Sequence, residues 1–280
     1  AIRVGLGEAM GLGEGALVTG QMVAALRRLG FDRVFDTQFT ADLTIMEEAH
    51  ELIHRMTENK PLPMITSCSP GWISFIETFY PEQVEHLSSC KSPQQMFGAV
   101  AKTYYAKRAG LDPRTVRVVS IMPCTAKKYE AGRSEMDGAF NWWKKEMEMD
   151  DAERFADVDW VLTTRELARM LTRIGLDFAS LEGSDFDDPL GASTGASVIF
   201  ANSGGGMEAA LRTAVETLTG TVLEEVEFTD LRERAGIREA ALTIGESTVR
   251  VAVANTLGNA RVLLEEIKGG ESPYAFIEVM

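Results

Sequence analysis

Apolar residues along this chain fall into two rhythms that take turns. Short unbroken apolar runs mark strands, and stretches with apolar residues at every third or fourth position mark amphipathic helices. Ile2-Arg3-Val4-Gly5-Leu6 reads as an opening strand, Val18 to Leu29 as a helix closed by Gly30, and Arg33 to Asp36 as a short strand. Ala41 to Glu58 carries a strong helical stripe, and Pro63 to Thr66 predicts the next strand. Helices follow over Trp72 to Phe79 and Ser92 to Ala109, the second with Ser92-Pro93 as N-cap and first-turn proline. Val116 to Met122 and Asp159 to Thr163 read as strands, and Thr164 to Ile174 as a helix. Ser203-Gly204-Gly205-Gly206 opens a helix over Met207 to Leu218 and presents backbone amides at its positive end. Strands are predicted near 222–228, 238–244 and 248–254, a helix over 257–268, and a last strand from Tyr274 to Met280. Residues 134–155, polar and acidic around Trp142-Trp143, predict a surface insertion, and 178–194 an acidic loop. The alternation predicts an α/β fold with mostly parallel sheet flanked by helices.

Length and composition narrow this picture. With 280 residues, 45% of them hydrophobic, the chain can bury a sizeable core as one large domain or two lobes. A net charge of −14 argues against nucleic acid or an anionic membrane as partner. Three cysteines without a CxxC suit a reducing, cytoplasmic compartment better than a disulfide scaffold. Apolar runs such as Val251 to Ala254 are too short to span a bilayer. Because the chain opens inside a strand-like segment, it is expected to be one piece of a larger polypeptide.

Candidate chemistry centres on two cysteine loops, each just past an apolar strand. The first is Thr66-Ser67-Cys68-Ser69-Pro70-Gly71-Trp72, the second Met122-Pro123-Cys124-Thr125-Ala126-Lys127-Lys128. Ligands of open α/β sheets sit beyond the carboxyl ends of the strands, and a neighbouring proline holds a thiolate on a stiff turn. His50-Glu51-Leu52-Ile53-His54 fits the HExxH zinc-peptidase pattern, with Glu51 as general base and Glu77 as a possible third ligand; the alternative is a solvated helix side. Gly5-Leu6-Gly7-Glu8-Ala9-Met10-Gly11 is similar to a dinucleotide loop, but its spacing is off and a surface turn is the simpler reading. Cys90 gains no role from its spacing. Glu48, Glu51 and Arg55 share one helix face, either as a solvated ion-pair stripe or as a proton relay.

Taken together, these segments resemble the catalytic domain of the FeFe hydrogenases. The first loop is similar to that family's TSCCPGW signature, and Met122 to Glu130 to its MPCxxKxxE signature. Supporting stretches in the same order are Phe35-Asp36-Thr37, Ala41 to Glu48, Lys91-Ser92-Pro93-Gln94-Gln95, Leu162 to Ala168 and Gly206 to Arg212, so the resemblance covers almost the whole chain. It implies two lobes, roughly 1–112 and 113–280, with the cluster site in the cleft between them. It also implies reversible oxidation of H2 to protons and electrons at an H-cluster. That group is a 4Fe-4S cubane joined to a two-iron centre with CO, cyanide and a bridging amine-dithiolate. No accessory cluster is expected in this chain, so the implied electron partners are ferredoxin or NAD-linked domains or subunits.

The implied roles are position by position. Cys68 matches the thiol that passes protons to the bridging amine, and Glu48, Ser88, Glu51 and Arg55 match the relay to the surface. Cys124 matches a cubane ligand, and Lys127 the lysine that pairs with a cyanide. Met122, Pro123, Gln94 and Phe200 match residues walling the cluster, and Glu130 the signature's closing carboxylate. Two departures accompany the match. Ser69 stands where the family has a second cysteine, a cubane ligand, and serine oxygen is a harder ligand for iron. The third signature, ExMACxxGCxxGGG, would begin at Glu278-Val279-Met280, where the sequence stops, so the 280 residues alone are expected to be inactive. A hydrogenase-like sensor or iron–sulfur assembly protein is the alternative reading, and the zinc peptidase a remote one.

Overall fold

A computed structural model of the chain describes residues 2–58, 60–223, 226–230, 235–244 and 247–280. Its helices, in chain order, are α1 (Ile2–Ala9), α2 (Thr19–Arg28), α3 (Gln38–Thr57), α4 (Pro70–Phe79), α5 (Pro93–Val100), α6 (Ala106–Ala109), α7 (Ala126–Ala131), α8 (Gly138–Met147), α9 (Thr164–Arg173), α10 (Gly195–Ile199), α11 (Gly205–Thr219) and α12 (Leu257–Lys268). The strands are β1 (Met64–Thr66), β2 (Val119–Met122), β3 (Trp160–Thr163), β4 (Thr229–Asp230), β5 (Ile237–Ile244), β6 (Ser247–Ala254) and β7 (Phe276–Val279). They form two compact units, one from Ala1–Thr40 and Gln94–Ala192, the other from Ala41–Pro93 and Ser193–Met280.

The second unit is a sheet with helices on both faces. Its five strands run in the order β1-β7-β6-β5-β4; β1, β7 and β6 are parallel, while β6-β5 and β5-β4 pair antiparallel. Side chains alternate across the pleat. Met64, Val251, Val253 and Phe276 pack on Ala49 and Leu52 of α3 and on Met207, Ala210 and Leu211 of α11. Ile65, Ala252, Ile277 and Val279 pack on Trp72 and Ile76 of α4 and on Leu263 and Leu264 of α12. Each fully buried aliphatic or aromatic side chain here contributes about 1.5–3 kcal/mol, so both faces of β1 and β7 are fixed in register. Thr66 and Glu278 stand at the carboxyl ends of these strands, opposite each other in the ladder.

The first unit gathers α1, α2 and α9 around Leu6, Val23, Leu26, Leu167 and Leu171, beside the parallel pair β2-β3. Here the structure departs from several sequence expectations. Ile2–Leu6 is helical, because Leu6 is driven inward while Gly7 fits where a Cβ would lie 3.0 Å from the Ala16 carbonyl oxygen. That helix also removes the dinucleotide loop, since Gly5 to Ala9 offer no open turn. Residues 33–36 are not a strand; they bond instead to the acidic loop, Val34 N–H to the Asp187 carboxylate at 2.7 Å and Asp187 N–H to the Val34 carbonyl at 2.9 Å.

The 134–155 stretch is more than a surface insertion. Within it α8 buries Phe140 and Trp143 against Met149 and Phe155, and Asp157 accepts the Gly138 and Ala139 amides at its start. Ser92 to Ala109 is interrupted by a π-helical turn at Ala101–Tyr105 before it ends at Gly110. Of the strand expected near 222–228, residues 224–225 lie outside the described residues; the described part is irregular and leads into β4. The division into sequential lobes at residue 112 is also replaced. β1 pairs with β7 at the far end of the chain, which draws 41–93 into the unit of the C-terminal sheet.

Candidate active site

In the second unit, the stripe predicted on α3 becomes a chain of hydrogen bonds from the buried Glu48 to the buried Arg55 through half-buried Glu51 and Ser88. Leu87 bridges to Ile65 beside β1 and the Ser88 amide donates to the Ile65 carbonyl at 2.8 Å, which lays the 88–90 segment against the helix. The Ser88 hydroxyl donates to Glu51 Oε2 at 3.0 Å and also bonds Glu48. Glu51 is the most heavily served carboxylate in the molecule's described part of this network. It receives the Ser89 amide at 2.9 Å and hydroxyl at 3.0 Å, Arg55 Nε at 2.9 Å, and the Cys90 thiol at 3.7 Å. Arg55 is itself fixed by the carbonyls of Pro61, Glu85 and Leu87.

The two glutamates, one helical turn apart, are tuned in opposite directions. Burial pushes Glu48 up to about 8, with the Thr66 and Ser88 hydroxyls opposing and Glu278 and Glu51 adding to the rise. Burial also pushes Glu51 upward, but the Ser88, Ser89 and Arg55 bonds outweigh it and hold the carboxyl below its ordinary value. Glu48 is thus largely protonated near neutral pH and Glu51 ionised, with a hydroxyl between them. That is an arrangement able to hand on a proton. The Cys90 thiol, half-buried beside both carboxyls, is pushed up to about 12 by burial first.

Cys68 and Ser69 follow β1 directly, and Ser69 is the N-cap of α4 with Pro70 in the first turn. The Ser69 hydroxyl makes no capping bond; its amide donates to the Ser67 hydroxyl at 3.1 Å. Phe200 lies against Gly206, where an added Cβ would sit 3.3 Å from its ring and 3.0 Å from Glu278 Oε1. The sequence marks Glu278 only as the position where the third signature would begin and gives it no role of its own. Nothing in the sequence signals its burial, because that depends on β7 entering the sheet between β1 and β6.

In the first unit, β2 delivers Met122, Pro123 and Cys124, and the turn into α7 brings Lys127 and Glu130. Cys124 is exposed, and the Ala126 amide points at its sulfur at 3.4 Å. Lys127 Nζ lies 3.2 Å from Glu130, whose carboxylate also accepts from Gln94 Nε2 at 3.2 Å. The Ser120 hydroxyl orders the other end of Gln94 at 2.9 Å, and Gln94 and Glu130 are buried. Met122 packs into the small core of Ala101, Val118 and Val161.

The zinc-peptidase reading is overturned by partners. His50 Nδ1 contacts its own helix at the Met46 carbonyl, His54 pairs with Glu58 at 3.2 Å, and Glu51 is committed to Arg55 and the serines. Among the described residues, no group of three His, Cys, Asp or Glu side chains is placed to hold a metal ion. No described helix is long and apolar enough to cross a membrane.

The α/β fold thus carries a cysteine turn beside a lysine in one unit and a carboxyl–hydroxyl–carboxylate chain in the other. Residues 1–280 match the family described as "Iron only hydrogenase large subunit, C-terminal domain", and the chain belongs to it. Over its full length it is 50% identical to the NADP-reducing hydrogenase subunit HndD of Solidesulfovibrio fructosivorans, of which it covers 46%. It is 45% identical to the periplasmic [Fe] hydrogenase large subunit of Nitratidesulfovibrio vulgaris, covering 64% of that protein. The chain therefore spans less than two thirds of these relatives. An apo variant of [FeFe]-hydrogenase HydA1 from Chlamydomonas reinhardtii superposes with a TM-score of 0.83 at 42% identity, over all of this chain and 74% of that one. A cytosolic Fe-S cluster assembly factor from Xenopus tropicalis is more distant, at 31% identity over 93% of this chain and 54% of its own. The fold is accordingly that of the FeFe hydrogenase catalytic domain, and its homologues imply an iron–sulfur H-cluster.

Proposed function

We propose that this chain is the catalytic-domain portion of an FeFe hydrogenase that interconverts H2 with protons and electrons. The observation that carries the reading is the pair Glu48 and Glu51, held in opposite protonation states across the Ser88 hydroxyl. A protein without proton traffic has no use for a buried carboxyl that is neutral and a neighbour that is charged. The residues fit one corner of a cluster site. Cys124 offers an exposed thiol with an amide aimed at sulfur, which favours the thiolate form. Cys124 would hold the cubane, and Lys127 would supply a cation to an anionic ligand of the two-iron centre. Met122, Pro123 and Gln94 would wall a cluster held at Cys124, the same role falls to Phe200 by resemblance alone, and Glu130 orients Lys127 through their ion pair. When bound, the cluster, with its CO, cyanide and bridging amine-dithiolate, supplies the redox chemistry.

The chain's own part is proton handling. Cys68 takes or gives the proton at the inner end; Glu48 holds it on its carboxyl; the Ser88 hydroxyl bonds both carboxyls; Arg55 keeps Glu51 ionised and in place at the outer end. In a transfer across the hydroxyl, Glu48 gives its proton to Ser88 Oγ as the Ser88 proton passes to the Glu51 carboxylate, and rotation of the new O–H bond resets the relay, so no heavy atom moves. Electrons would leave through ferredoxin or NAD-linked partners, the second favoured by the relation to a NADP-reducing subunit, and a cytoplasmic setting suits the free thiols.

Ser69 favours a second reading, an iron–sulfur assembly or sensor protein, because a serine hydroxyl replaces a soft ligand beside Cys68. The test is hydrogen turnover and iron content of the whole protein after cluster maturation, beside its Ser69→Cys variant. Turnover in either protein supports the hydrogenase reading. Bound iron in both with no turnover overturns it in favour of the second.

A further inference from the structure

Glu278 is a buried carboxyl that the path described above does not use. It is 5% exposed, at the end of β7, and its ladder partner across the sheet is Thr66 at the end of β1. Facing residues on adjacent parallel strands stand about 4.8 Å apart with their side chains on the same face. The Thr66 hydroxyl donates to Glu48 Oε1 in a short contact. Glu278 Oε2 accepts the Met207 amide at 3.3 Å, and the Gly204 amide also bonds this carboxyl, so it closes the first turn of α11. Gly206 leaves the space that its other oxygen occupies, since a Cβ there would meet Oε1 at 3.0 Å.

We propose that Glu278 is a positioning residue of the proton path, its carboxylate setting the proton affinity of Glu48 across Thr66 while it anchors the α11 turn that carries Phe200's contact. This deepens the proton-path reading and rests on it for its catalytic meaning. The groups facing the pair come from every packed element. Glu51 lies on α3, Thr66 on β1, Ser88 and Cys90 on the segment leading into α5, the Gly204 and Met207 amides at the start of α11, and Arg238 on β5. Arg238 is spent on Ser203, donating to its carbonyl and, at 3.1 Å, to its hydroxyl, so it attracts Glu278 without pairing to it. Burial raises Glu278 to about 7 against those amides and Arg238. Near pH 8, Glu278 is therefore mostly ionised, and its charge opposes ionisation of Glu48.

The experiment compares the whole protein with its Glu278→Gln variant, which keeps the shape and an acceptor for the Met207 amide. In the cluster-free protein, the infrared band of the protonated Glu48 carboxyl, assigned by its loss in Glu48→Gln, is titrated with pH. We expect its midpoint to fall by about one pH unit in Glu278→Gln, and the alkaline limb of hydrogen turnover in the loaded protein to move the same way. An unchanged Glu48 midpoint overturns the proposal. A shifted midpoint with an unmoved activity limb keeps the coupling and instead removes Glu48 from the path. If Glu278→Gln does not fold, Glu278→Asp, which shortens the reach to the Met207 amide, must lower the Glu48 midpoint less than one unit or the proposal fails.

Discussion

The stretch from Glu48 to Arg55 and the turn from Met122 to Glu130 differ in how much of their chemistry the fold completes unaided. On α3 every polar atom that the path needs has a protein partner: hydroxyls, an amide and a guanidinium converge on Glu51, and Thr66 on Glu48. At the cysteine turn, the second layer is complete, with Ser120, Gln94, Glu130 and Lys127 joined in series, but the thiol of Cys124 faces outward. The carboxyl chain is ordered by protein partners alone, whereas the Cys124 thiol is exposed. The two regions should consequently fail in different ways.

The largest effect is expected at the open region. Cys124→Ala should abolish hydrogen turnover and lower bound iron, yet leave the melting temperature of the cluster-free protein unchanged, because an exposed thiol contributes little to packing. A lowered melting temperature would erase the contrast. At the closed region, Arg55→Ala should instead cost the fold about 3–5 kcal/mol, read by denaturant unfolding of the cluster-free protein. It strands the Glu51 carboxylate and the carbonyls of Pro61, Glu85 and Leu87 at once. A loss below about 1 kcal/mol would mean that this network behaves as an ordinary surface pair.

How much of this was legible beforehand follows the same division. The α3 stripe is visible in sequence because helix spacing places Glu48, Glu51 and Arg55 on one face whatever the tertiary fold. The cysteine turns are visible because proline and apolar strands punctuate them. Composition and periodicity do not show whether the stripe is buried; Leu87 pairing with Ile65 decides that, and it is a contact between segments that local rules do not link. The burial of Glu278 against Thr66 and α11 was invisible for the same reason, as was the helical opening at Ile2–Ala9, where packing around Leu6 overrides a strand-like pattern. The resemblance to the hydrogenases supplied what spacing could not, the roles proposed for Cys68, Ser88 and Lys127. It could not say which loop would hold residues 33–36.

The most direct measurement is turnover set against bound iron in Glu48→Gln of the whole, cluster-loaded protein. Glutamine keeps the size of the side chain and the bond from Thr66 but cannot release a proton. Loss of hydrogen turnover by about 100-fold or more, with iron content equal to the parent, is the predicted result. Full turnover at equal iron would contradict the account.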